Sequence, residues 1–207
     1  MNMFKDLIKN TAVYGSANVL FSFIAFITFP IFARYLSVKD YGVLSLVETI
    51  SGFVGMFTAL GINNSIQRYY FDAEYGTNRQ TTLISTGFWG ITIVTLVIVI
   101  ISGIGFLPFL RLISEKYEIR SPYIYLALAT LVPATCLNYF ADVFRLKFDP
   151  IRFAIVSFFQ KLFSVILGLF FVVALGRGLQ GNFEGVLVGS LLGVAIGVFF
   201  IHKDIRL

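Results

Sequence analysis

The sequence predicts an all-α integral membrane protein built from six transmembrane helices. Three observations predict it. Of 207 residues, 57% are hydrophobic and only 13% charged, about half the charge of a soluble domain. Mean hydropathy is +0.86, more apolar surface than a water-soluble globule of this size can hide. Uncharged runs of span length follow one another along the chain, and a helix needs about 20 mostly apolar residues to cross the hydrocarbon core. Soluble enzymes, nucleic-acid binders and disordered linkers are excluded on these grounds. The net charge of +5 reads as the excess of Lys and Arg that orients membrane helices, not as a nucleic-acid footprint.

The first helix is predicted at about 10–35, where Asn10–Ala33 carries no charge. That run exceeds the apolar region of a cleavable signal peptide, so this helix stays in the membrane. The second, about 41–63, is interrupted only by Glu48. The third, about 82–108, covers the uncharged run Gln80–Leu110, and the fourth, about 122–144, covers Ser121–Ala141. The fifth, about 152–176, is interrupted by Lys161, and the sixth spans about 183–203. Segments this long and uniformly apolar are not the short alternating strands of a membrane β-barrel. The connections are short, so the whole of 1–207 reads as a single six-helix unit.

Loop charges set the orientation. With the N-terminus inside, Lys5, Lys9, Arg68, Arg79, Arg145, Lys147, Arg152, Lys203 and Arg206 fall on the cytoplasmic side. Arg34, Lys39, Arg111, Lys116, Arg120 and Arg177 fall on the other. The bias places both termini in the cytoplasm.

Helix–helix packing in lipid depends on small residues that let backbones approach. Gly185, Gly189, Gly193 and Gly197 make an unbroken four-residue ridge on the sixth helix, predicted to pack within the chain. Polar or small stripes recur on the first helix (Thr11, Gly15, Asn18, Ser22), the second (Glu48, Gly52, Gly55, Ala59, ending near Asn63) and the fifth (Ser157, Lys161, Ser164, Gly168). Such stripes turn toward a bundle interior or an aqueous cavity, which favours a transport path over a plain anchor.

Intramembrane charge is the sharpest functional signal, because a mid-bilayer carboxylate or ammonium costs about 2.5–3.5 kcal/mol on insertion scales. Glu48, about seven residues into its helix and roughly 10 Å deep, is the candidate ion-coupling acid, with a neutral hydrogen-bonded carboxyl as the plainer alternative. Lys161, about nine residues in and roughly 13 Å deep, is either a cavity charge or a snorkelling anchor. Asp142 and Arg145 are predicted to form a local interfacial ion pair. Arg68, Arg145, Lys147 and Arg152 form a basic set that contacts anionic lipid or a phosphorylated headgroup through charge-assisted hydrogen bonds. Arg68, Arg145, Arg152 and Lys161 are the substrate-binding candidates. With one histidine, His202, and one cysteine, Cys136, neither a His-centred catalytic site nor a His/Cys metal site is expected. No catalytic residue, metal or cofactor is assigned.

Several motifs in the first seventy residues then matter together. Lys9-Asn10-Thr11-Ala12-Val13-Tyr14-Gly15-Ser16 is followed by Phe29-Pro30-Ile31-Phe32-Ala33-Arg34-Tyr35-Leu36-Ser37-Val38-Lys39-Asp40-Tyr41-Gly42, and then by Leu60-Gly61-Ile62 leading to Arg68-Tyr69-Tyr70-Phe71. This opening resembles Wzx-type polysaccharide-biosynthesis flippases of the multidrug/oligosaccharidyl-lipid/polysaccharide exporter superfamily. Elsewhere the match is in hydropathy and spacing, including Phe148-Asp149 before the fifth helix. The resemblance implies a six-helix lobe of a two-lobe, MATE-like transporter, with this chain as the N-terminal half and a C-terminal lobe as its missing partner. It also implies a bacterial cytoplasmic membrane location and flipping of a polyprenyl-pyrophosphate-linked oligosaccharide for O-antigen, capsule or exopolysaccharide synthesis. Membrane lipids and the polysaccharide polymerase machinery are the other implied partners. Two alternatives stand beside it: a MATE-type drug/cation antiporter, which Glu48 would serve, and a membrane enzyme acting on polyprenyl-phosphate sugars. The enzyme would need an acidic cluster, and Asp72 with Glu74 is its nearest approach.

Overall fold

In the computed structural model the backbone is described for residues 3–59, 61–70, 77–117 and 121–202, and side chains for 15–16, 19–58, 61–70, 79–105 and 121–202. The described residues form helices and turns in the order α1 (Met3–Tyr35), α2 (Val38–Ala59), α3 (Ile62–Tyr70), α4 (Thr77–Tyr117), α5 (Ser121–Leu146), α6 (Pro150–Leu169) and α7 (Gly178–Ile201). A π-helical turn, Phe170–Ala174, continues α6. Five helices, α2 and α4–α7, are long and apolar enough to cross a membrane, and α1 adds the apolar stretch Val19–Tyr35. The chain is an all-α, multi-pass membrane protein.

One end of the bundle carries the α1–α2 and α6–α7 turns; the other carries α3 and the α5–α6 turn. Each turn has a local cause. Ser37 caps α2 in a box with Asp40: the Asp40 amide donates to Ser37 Oγ (3.2 Å) and the Ser37 amide to Asp40 Oδ2 (2.8 Å). Asp149 caps α6 by accepting from the Arg152 amide at 3.1 Å, with Pro150 placed where a missing amide costs nothing. Before α7, Gly176 and Gly178 both have positive φ, 63° and 54°, a geometry that leaves Arg177 between two residues free of Cβ strain.

The second predicted helix, 41–63, differs from what forms. α2 begins at Val38 and stops at Ala59; Gly61 takes a positive φ of 70°, and α3 starts afresh at Ile62. Asn63, Asn64, Gln67 and Arg68 make α3 too polar to continue the span, while Ile66 is buried beneath it. α3 is therefore an amphipathic helix lying at the bundle end.

The glycine ridge packs against α6. A Cβ on Gly185 would lie 2.3 Å from Gly168 Cα, one on Gly189 2.4 Å from the Ser164 amide nitrogen, and one on Gly193 2.6 Å from Gln160 Cβ. At Gly197 the neighbour is Phe140 of α5, 2.3 Å away. These backbones approach as closely as small residues permit. The α6 stripe consequently splits. Ser164 and Gly168 are buried in this seam, whereas Lys161 is exposed, so half of that stripe serves packing and not a wet cavity. On the first stripe, Gly15 has open space and Ser22 is exposed; Thr11 and Asn18 lie outside the described side chains.

Two buried clusters fill the interior, one toward each end. Val47, Val54, Ile124, Leu128, Val172 and Phe183 build the first. Ile66, Ile84, Ile91, Tyr139, Phe140, Phe144 and Ile201 build the second, where Phe88 stacks on Phe140 at 5.5 Å. Tyr139, 1% exposed, donates its hydroxyl to the Ile84 carbonyl at 2.6 Å, which satisfies an otherwise costly buried O–H.

Candidate functional site: a mid-span cavity and a basic end

Glu48 lies ten residues after the start of α2 at Val38, roughly 15 Å along the helix. That is deeper than the sequence placed it, because α2 begins earlier. The same holds for Lys161: α6 starts at Pro150, so this lysine is eleven residues in, roughly 16 Å. Since a hydrocarbon core is about 30 Å thick, both charges are near the middle of their spans. A lysine stem is much shorter than that depth, so snorkelling only partly relieves the charge.

Glu48 lines a cavity of about 190 Å³ between α2, α5 and α7, with Ser51, Thr130 and Asn182 as its other polar walls and Leu131 and Phe183 among the apolar ones. Ser51 and Thr130 return their hydroxyls to backbone carbonyls of their own helices, at 2.8 Å each. Among the described residues neither Glu48 nor Asn182 has a hydrogen-bond or ion-pair partner, so both keep their capacity for a ligand. Lys161 does not line this cavity, and its charge is likewise unpaired among the described residues.

The three arginines gather at the α3 end, each already held. Arg145 Nη1 pairs with Asp142 Oδ1 at 3.2 Å, the ion pair expected from their spacing, and its guanidinium stacks 4.8 Å over Phe153. Arg152 Nε pairs with Asp149 Oδ2 at 3.0 Å. Arg68 sits 6.0 Å over the Tyr69 ring. Asn63 Nδ2 donates to the second oxygen of Asp142 at 2.7 Å, tying α3 and its Arg68 to the end of α5. The arginines thus share one end, while Lys161 stands apart within the span. Asp72 and Glu74 lie outside the described residues, and among the described ones no His, Cys, Asp and Glu group has metal-binding geometry.

Over residues 7–205 the chain matches the family of polysaccharide biosynthesis proteins. The chain belongs to that family. The match runs through all seven helices, well beyond the N-terminal motifs that carried the resemblance. No curated protein and no solved structure matches. A role in polysaccharide biosynthesis follows from that membership.

The sequence singled out Glu48 but not Asn182, Thr130 and Ser51, which share its cavity. Ser51 is three residues from Glu48 and was within reach of helical spacing. Thr130 and Asn182 come from distant helices with no shared periodic signal.

Proposed function

We propose that this chain is one six-helix lobe of a flippase that carries a polyprenyl-pyrophosphate-linked oligosaccharide across a bacterial cytoplasmic membrane. The observation that carries the reading is Lys161: an exposed, unpaired cation at mid-span, in a family devoted to polysaccharide assembly. An anion crossing the bilayer needs such a partner along its path. The α3 end is the cytoplasmic mouth. There Arg68, Arg145 and Arg152 attract the pyrophosphate, and Lys161 receives it within the cleft facing a second lobe. Because Asp142 and Asp149 hold two of these arginines, capture requires the pyrophosphate to compete with carboxylates, which favours a dianionic headgroup over a monoanionic lipid. Glu48 is the ion-coupling residue, its cavity supplying the oxygen donors Ser51, Thr130 and Asn182. The same cavity favours a second reading, export of organic cations, because an unpaired carboxylate in a partly apolar pocket is complementary to them.

The test is flipping of a fluorescent lipid-linked oligosaccharide in proteoliposomes, with and without a divalent-metal chelator. Flippase action moves the label with its covalent structure intact and ignores the chelator. Cleavage or sugar transfer would instead establish an enzyme, and transport of organic cations alone would establish the second reading.

A further inference from the structure

At the end of the bundle opposite the arginines, a second cavity of about 310 Å³ opens between the start of α2, the start of α5 and the α6–α7 turn. Lys39, Asp40, Tyr123 and Arg177 line it, together with the bare backbone of Gly176 and Gly178. Its guanidinium is balanced locally. Arg177 Nη1 pairs with Glu184 Oε2 at 2.5 Å, and Glu184 also accepts from Gln180 at 3.0 Å. Asp40, next to Lys39, accepts the Ser37 hydroxyl at 2.7 Å. The lining is therefore rich in hydrogen-bond donors and acceptors, with the Asp40 carboxylate among them and the Arg177 guanidinium already paired. A phosphate would meet the Asp40 carboxylate and a guanidinium already paired with Glu184, and an apolar ligand would strand the polar groups. A neutral polyhydroxyl ring suits this wall: its hydroxyls donate to carboxylates and accept from ammonium and guanidinium groups. Tyr123, held by stacking on Phe183 at 5.9 Å, adds a rigid aromatic surface for the C–H face of such a ring.

We infer that this pocket is a saccharide-binding subsite. Its place on the release side of the membrane rests on the proposed flippase reading; sugar binding itself does not. The experiment is saturation-transfer NMR on the purified protein in detergent micelles, with glucose, galactose and N-acetylglucosamine as probes and inorganic pyrophosphate as competitor. At least one sugar is expected to bind saturably, to persist in excess pyrophosphate, and to weaken by roughly tenfold in Lys39→Gln, the loss expected from one charge-assisted hydrogen bond. Tyr123→Leu, which keeps an apolar side chain at the site, should weaken it similarly without lowering the melting temperature by more than a few degrees. Absence of binding by all three sugars, displacement by pyrophosphate, or unchanged binding in both variants would overturn the inference. If the protein binds sugars here but flips no lipid-linked substrate, the flippase reading fails and this subsite stands.

Discussion

Tyr139 shows what one side chain contributes to a membrane-embedded core. Its hydroxyl is fully buried and has a single partner, the Ile84 carbonyl, which a helix already supplies with a backbone donor. Tyr139→Phe removes both the donor and the need for it, so the expected cost is about 1 kcal/mol and not the larger penalty of an orphaned group. Thermal unfolding in detergent should show a melting temperature a few degrees lower, with the helical content unchanged. Arg145 makes the opposite case. Its ion pair with Asp142 is more than half exposed on the arginine side, so Arg145→Gln should cost under about 1 kcal/mol of stability. Under the proposed function the same change lowers the initial rate of substrate capture, visible as a raised half-saturating concentration in the flipping assay.

At the scale of elements, α6 and α7 approach backbone to backbone along their seam. The ridge prediction is direct: Gly189→Leu together with Gly193→Leu drives side chains into the Ser164 backbone and Gln160, a displacement beyond the ~1–3 kcal/mol of ordinary overpacking. Accumulation in membranes should fall sharply. Gly52→Ala serves as the comparison, since a Cβ there meets open space, and its level should match the parent. Equal accumulation of both variants would mean the ridge does not hold α7 to α6. This ridge was legible in the sequence because four-residue spacing of glycines leaves few alternatives on a membrane helix. α3 was not, because Ile62–Tyr70 adjoins an apolar run and a span-length window absorbs it; only Gly61 and the polar residues after it mark the break. The cavity around Glu48 was half legible. A lone acid in an apolar run announces itself, but which residues face it depends on how α5 and α7 pack, and small side chains such as Ala127 and Ala134 that open the space carry no chemical signal. For Lys161 the position was visible and the surroundings were not: its stripe neighbours Ser164 and Gly168 turned out to be packing residues.

At the scale of the whole molecule, the helices alternate in direction through the bundle, and the proposed path carries an anion across it. An even number of spans puts both termini on one side, and the proposed orientation puts that side in the cytoplasm. Reporter fusions after His202 should be active only in the cytoplasm; activity only in the periplasm would reverse the mouth and the release side assigned above. The proposed path depends on Lys161, which among the described residues is an unpaired cation between the basic end and the polar pocket opposite. Flipping of a labelled lipid-linked oligosaccharide in proteoliposomes, compared among the parent, Lys161→Arg and Lys161→Gln at equal protein levels, is the most direct measurement. The account predicts that the arginine variant keeps part of the rate, since the charge survives, and that the glutamine variant loses most of it. A glutamine variant that flips substrate at the parental rate would make Lys161 a lipid-facing anchor and contradict the proposed path.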